Sequence, residues 1–263
     1  MTASDLFQAG KLREAIDAQI AKVKAQPANN PARFFLFELF FFSGELDRAR
    51  KQLDVLRYDD PQHLAAIEQY RGALDAETQR RAVFAGTAQP KGLTDGPAHV
   101  QLRFEALPYL ARGETAEAKR RFDEANAAVP ILKGTHDGVA FEGLYDADER
   151  FGTVLEVFGA GGVYSWVALE SIESITMNPP AAPRDVLLRP ANLVLLEGIE
   201  GDVLIPGLYP NTWELGDEEL KLGLATEWTG ADGDTVRGTG ARQWLCGSAI
   251  LNFSNVRRLL IQS

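Results

Sequence analysis

The chain has 263 residues, 45% of them apolar, enough for a sizeable core in one or two domains. A single cysteine, Cys246, permits no internal disulfide, and a net charge of −10 makes nucleic acid a poor partner. Met1 to Phe7 carry neither a basic segment nor a long apolar run, so no signal peptide is read and a cytoplasmic location is expected, with no membrane contact. The charge is unevenly placed. Residues 1–133 hold 19 Lys+Arg against 18 Asp+Glu, and residues 134–263 hold 8 against 19.

The first half repeats. Gly10 and Gly44, Ala15 and Ala49, and Pro27 and Pro61 are each 34 residues apart, and Gly113, Ala118 and Pro130 follow 69 residues later. A fixed period of 34 is the signature of tetratricopeptide-like helix pairs. The glycines end the first helix of each pair, the alanines let paired helices approach, and the prolines end the second helix.

Within the second copy, every residue from Phe34 to Phe42 except Glu38 is apolar, and six of the nine are Phe. Asn30 reads as an N-cap followed by Pro31, and Ser43-Gly44 as a stop. A helix apolar nearly all round must be covered on more than one face, and this one is too short to span a bilayer.

Gln62–Ala85 reads as one long helix with Leu64, Ile67, Tyr70 and Leu74 on a face, and Gly86–Pro97 as a loop. Pro108 predicts a kink near Leu107. About seven helices are expected over residues 1–133. Stacked pairs expose a concave face lined by their first helices. Phe34, Glu38, Phe41, Val100, Arg103 and Leu107 are therefore the candidate groove for a partner helix, unless another part of the chain covers them.

After Pro130 the texture changes to short apolar runs between turn signals. Strands are expected at Thr153–Phe158, Val163–Leu169, Ile172–Met177, Asn192–Leu196, Asp202–Ile205, Leu224–Trp228, Arg242–Leu245, Ala249–Phe253 and Val256–Ile261. Gly159–Gly162 and Ala231–Asp234 read as hairpin turns, Asn178–Pro183 as an extended connector and Asp217–Leu222 as a short helix. The fold class is thus α+β multidomain: a TPR-like α–α superhelix over 1–133, then an acidic, mostly antiparallel β barrel or roll over 134–263.

Candidate chemistry is sparse. His63, His99 and His136 lack ligand spacing, and Gly159–Gly162 lacks the Lys and Ser/Thr of a phosphate loop. Asp146, Asp148 and Glu149 at the junction of the halves could hold a divalent cation, which gives the alternative reading of a metal- or ligand-binding regulatory protein or minor enzyme. The bland reading has them as helix caps or as salt-bridge partners of Arg150 and Arg184. No catalytic residue, cofactor or metal is assigned, and no enzyme is expected.

Several second-half motifs occur together: Asp137-Gly-Val-Ala-Phe141, Asp146-Ala-Asp148-Glu-Arg150-Phe-Gly152 with Glu156, Tyr164-Ser-Trp166, Arg184-Asp185, Arg189-Pro190-Ala191, Ile205-Pro206, Tyr209-Pro210, Thr226-Glu227-Trp228 and Gly238-Thr-Gly240-Ala-Arg242. With the helical first half, they make the chain resemble the ImpE family, also called TagJ or SciE, of bacterial type VI secretion systems. One departure is Gly207-Leu208 before Tyr209, where the family pattern leads one to expect an Arg. The resemblance implies a non-enzymatic cytoplasmic adaptor with a helical superhelix joined to a β-barrel-like domain. It also implies a partner, a short N-terminal helix of the small contractile-sheath subunit, and through it an indirect link to the sheath-recycling ATPase.

Overall fold

The computed structural model describes residues 1–92, 96–230 and 233–262. Seven helices among the described residues precede the first strand: α1 (Ala3–Gln8), α2 (Leu12–Ala25), α3 (Asn30–Phe42), α4 (Leu46–Asp54), α5 (Pro61–Phe84), α6 (Ala98–Ala111) and α7 (Thr115–Ala127). The cap of α3 lies one residue earlier than the sequence reading placed it. The Asn29 side chain accepts from the Ala32 amide at 2.9 Å, while Asn30 is already helical and donates to the Arg57 carbonyl at 2.6 Å. Gly44, at φ +78°, closes α3 in the left-handed region that favours glycine. Pro108 stands inside α6, which continues to Ala111. Parts of the loop read over Gly86–Pro97 and of the turn read over Ala231–Asp234 lie outside the described residues.

Helix α5 is the spine. Its 24 residues extend about 36 Å at 1.5 Å per residue. The N-terminal helix pairs pack against one side and the strands against another. The strands are β1 (Lys133–His136), β2 (Val139–Glu142), β3 (Leu144–Asp146), β4 (Val154–Gly159), β5 (Val163–Ala168), β6 (Ile172–Met177), β7 (Leu188–Leu195), β8 (Glu200–Pro206), β9 (Thr226–Thr229), β10 (Arg237–Gly240), β11 (Gln243–Cys246), β12 (Ala249–Asn252) and β13 (Arg258–Gln262). Two one-turn helices, α8 (Arg184–Leu187) and α9 (Glu218–Lys221), interrupt them.

Antiparallel pairing is as expected; closure into a barrel is not. The main sheet runs β2-β1-β13-β6-β7-β8-β4-β5 and is open, with β9–β10 and β3–β11–β12 as separate small sheets. The physical reason lies at β5. Its outer edge is taken by Lys91, whose amide donates to the Tyr164 carbonyl at 2.9 Å and whose carbonyl accepts from the Trp166 amide at 3.1 Å, so β2 does not close on it.

Side chains alternate between the two faces of the sheet. Val154, Phe158, Tyr164, Trp166, Leu188 and Leu204 face the helices and join a core that runs from Leu6 to Leu222. Leu155, Val157, Ala191, Leu193 and Ile205 face the other way and form a second core with Phe253 and Leu259. The segment between β8 and β9 ties down the turns of the helical repeat. Glu218 accepts the Leu12 and Arg13 amides at 2.8 and 2.9 Å and so caps α2. Trp213 lies against Gly44 so closely that a Cβ there would meet it at 2.6 Å.

Candidate functional site

The six residues proposed for one groove do not share one. Val100, Arg103 and Leu107 on α6 are buried, Arg103 against the β half. Arg103 donates to the Glu149 carbonyl at 2.9 Å and to Asn126 Oδ1 at 2.6 Å, and its guanidinium fills the space beside Gly152. Burial depresses its pKa to about 10 despite Glu149 nearby. Phe41 is core, 6% exposed. The face that repeat geometry would leave concave is therefore covered from α6 to the end of α3. The rule that assigns a free concave face to stacked helix pairs assumes no second half folding onto it.

An opening remains at the start of α3. A cleft of about 370 Å³ lies between α3 and the first turns of α5, lined by Pro31, Phe34, Phe35, Tyr58, Ile67 and Tyr70 among others. Its inner end is polar. Arg184, the first residue of α8, donates to Glu38 Oε1 at 2.8 Å and to the Tyr70 hydroxyl at 2.6 Å, and sits over the Phe34 ring at 5.2 Å. Burial pushes the Glu38 carboxyl up in pKa while Arg184 pulls it down. Phe34 and Glu38 thus stay together at one site, with Arg184 as the partner the sequence reading had placed elsewhere. The size falls within the range of ligand clefts, and the aromatic walls with one charged pair suit the apolar face of a helix.

The second concentration of chemistry is the junction of helices and sheet, and it is closed. Glu156 of β4 accepts Arg80 Nε and Nη2 at 2.7 and 2.9 Å, the Tyr164 hydroxyl at 2.5 Å, and Arg242 Nη2. Trp166 Nε1 donates to the Tyr164 oxygen at 2.6 Å. Burial alone would raise the Glu156 pKa, but Arg80 and Arg242 hold it down to about 2. One layer out, Tyr209 donates to Asp146 at 2.9 Å, and Asp148 accepts from the Arg150 side chain at 2.5 Å and the Gly238 amide at 2.8 Å. Burial lifts the Asp146 carboxyl to about 7 against the pull of Arg242.

This geometry overturns the metal reading of Asp146, Asp148 and Glu149. Tyr209 engages Asp146 Oδ1, Arg150 and the Gly238 amide engage Asp148, and the Val236 amide engages Glu149 at 2.9 Å, while Asp146 Oδ2 is left facing Arg242 Nε at 3.6 Å. Among the described residues, no group of three His, Cys, Asp or Glu side chains could hold a metal ion. Sequence reasoning missed Arg80, which also lies 3.5 Å from Glu77, and did not join Tyr164 to Glu156. The signal available was indirect: the motifs around Asp146, Glu156, Tyr164, Tyr209, Gly238 and Arg242 all converge on this junction.

Fold and site together define a helical repeat and an antiparallel sheet locked by buried ion pairs, with an apolar cleft left open at one end. No helix among the described residues is long and apolar enough to cross a membrane. The family described as ImpE protein matches residues 138–260. The chain is also 36% identical, over 228 residues, to the type VI secretion system accessory component TagJ of Pseudomonas aeruginosa, covering 87% of this chain and 81% of the relative. The chain therefore belongs to the ImpE family. Its fold matches the crystal structure of protein VPA1032 from Vibrio parahaemolyticus with a TM-score of 0.90, at 22% identity, over 99% of this chain and 97% of the other.

Proposed function

We propose that this protein is an accessory component of a type VI secretion system, working in the cytoplasm as a non-enzymatic adaptor, and that its α3–α5 cleft holds a short N-terminal helix of the small contractile-sheath subunit. The system is taken from the TagJ relative. The mode of binding rests on one observation, the aromatic cleft with the Glu38–Arg184 pair at its inner end. An amphipathic helix would seat two or three apolar anchors among Phe34, Phe35, Ile67 and Tyr70, and a polar side chain of its own near Arg184 would fix its register. Aromatic walls of this kind carry most of the energy in such interfaces. The sheath-recycling ATPase would be reached only through the sheath subunit.

Calorimetric titration with a synthetic N-terminal peptide of the small sheath subunit from the same genome tests the partner, and Phe34→Ala tests the cleft. Phe34 is half-buried at the rim, so its truncation is expected to leave the chain folded and weaken the peptide about tenfold, or 1.4 kcal/mol. Unchanged affinity in the folded variant would remove the cleft from the account. No binding to the unaltered chain would remove the sheath peptide.

A further inference from the structure

The phase of the β7–β8 ladder fixes which way each backbone group of β8 points. Leu195 N donates to the Ile199 carbonyl and Gly207 N to the Leu187 carbonyl, so both ends of the hairpin place the odd-numbered residues of β8 in the hydrogen-bonded pairs with β7. The N–H and C=O groups of Glu200, Asp202 and Leu204 therefore face the opposite edge. Strand β4 covers that edge only at Leu204, paired with Phe158, and then leaves the sheet after Gly159. Among the described residues, the main-chain groups of Glu200 and Asp202 have no partner on that side. A cavity of about 700 Å³ lies there, between the exposed strand, the Gly159–Gly162 turn and the Gln62–Asp75 face of α5.

We infer that this truncated edge of β8 takes an extended segment of another protein chain as an added strand, continuing the line that β4 abandons. A free sheet edge recognises backbone, since its donors and acceptors are spaced for another strand. The wall opposite is built to leave room. Ala65, Ala66, Gln69 and Gly72 of α5 line the cavity at helical spacing, and Gly72 approaches Gly162 so closely that a Cβ would meet its amide at 3.0 Å. Of the charges lining it, Glu68 is paired with Arg71 and Asp75 with Arg50, which leaves Asp202 as the lining carboxylate without an ion-pair partner among the described residues. Asp202 is exposed on the strand itself. A lysine or arginine directly opposite Asp202 would complete a cross-strand charge pair, so the occupant is an extended segment with a basic residue at that register. The site is separate from the α3–α5 cleft and does not depend on what that cleft binds.

The test uses the full chain and two acetylated, amidated hexapeptides, Thr-Val-Lys-Val-Thr-Val and the same peptide with Glu for Lys, followed by NMR of the backbone amides. The expected result is at least tenfold slower hydrogen exchange of the Asp202 amide with the Lys peptide, at least tenfold weaker binding of the Glu peptide, and loss of binding in Asp202→Pro. Because the Asp202 amide points away from β7, proline there removes the edge donor and breaks no β7–β8 bond. Asp202→Asn is expected to keep strand addition and erase the preference for Lys. No protection of the Asp202 amide in the unaltered chain at millimolar peptide, or equal affinity in a folded Asp202→Pro variant, would overturn the inference. A Lys preference that persisted in Asp202→Asn would overturn the charge pairing.

Discussion

The molecule carries two arginine–carboxylate centres of similar chemistry in opposite settings. At the junction, Glu156 is fully covered and serves two guanidinium groups, Arg80 and Arg242, that are also buried. At the cleft, Glu38 is buried but its partner Arg184 is 30% exposed and stacks on the half-buried Phe34 ring. A closed pair has its desolvation cost met by its neighbours and cannot reach a ligand. A pair at the inner end of an open apolar cleft keeps donors available to an incoming chain. The first centre holds the two halves together; the second leaves the polar end of a cleft open.

Replacing Glu156 breaks this comparison most forcefully. Glu156→Gln takes the nearest carboxylate from two buried guanidinium groups, leaving Arg80 only Glu77 at 3.5 Å and Arg242 only Asp146 at 3.6 Å, and about 3–5 kcal/mol of stability is expected to be lost in urea unfolding. Because one core runs from Leu6 to Leu222, residues 1–133 and 134–263 are expected to unfold in a single calorimetric transition before and after the change. Glu38→Gln should cost less, about 1–2 kcal/mol, because water reaches Arg184. Equal losses at the two sites would erase the distinction between them.

The pH dependence sharpens it. Asp146 rises from 3.8 unfolded to about 7 folded, so between those values the native state holds a proton that the unfolded chain has released. Its contribution to stability therefore falls as pH rises from 4 to 7 and is flat above. Glu156, at about 2 against 4.5, acts in the other sense: its contribution is present above pH 4.5 and lost as pH falls toward 2. A stability maximum near pH 4–5 from these two groups is expected, and Asp146→Asn should flatten the limb between 4.5 and 7 in melting curves. The smallest effect concerns the clamp on the repeat. Glu218→Ala uncaps α2 and should cost about 1 kcal/mol.

Much of the helical half was legible in the sequence. The 34-residue offsets and the Gly and Pro stops mark the helix pairs, and the all-apolar Phe34–Phe42 run announces a helix enclosed by its neighbours, as α3 is. Strands β4 to β8 were legible through alternation, while β1, β3 and β10 are three or four residues long, two of them glycine-bearing, with too few apolar positions to show a period. The junction was not legible, because Glu156 meets Arg80 and Arg242 across separations of 76 and 86 residues, and nothing local in a carboxylate records its partner. The groove was half legible. Phe34 and Glu38 border an open cleft, but Phe41 and the residues on α6 are buried, Arg103 by a half of the chain whose docking no repeat pattern encodes. The Gly207-Leu208 departure has a local consequence: a Cβ at 207 would lie 2.2 Å from the Val186 carbonyl, so no side chain fits there.

Hydrogen–deuterium exchange of the full chain, with and without the sheath-subunit peptide, tests the central claim most directly. Slowed exchange confined to residues 31–38 of α3 and 62–70 of α5 is the predicted result. Protection elsewhere, with both of those segments unchanged, would contradict it.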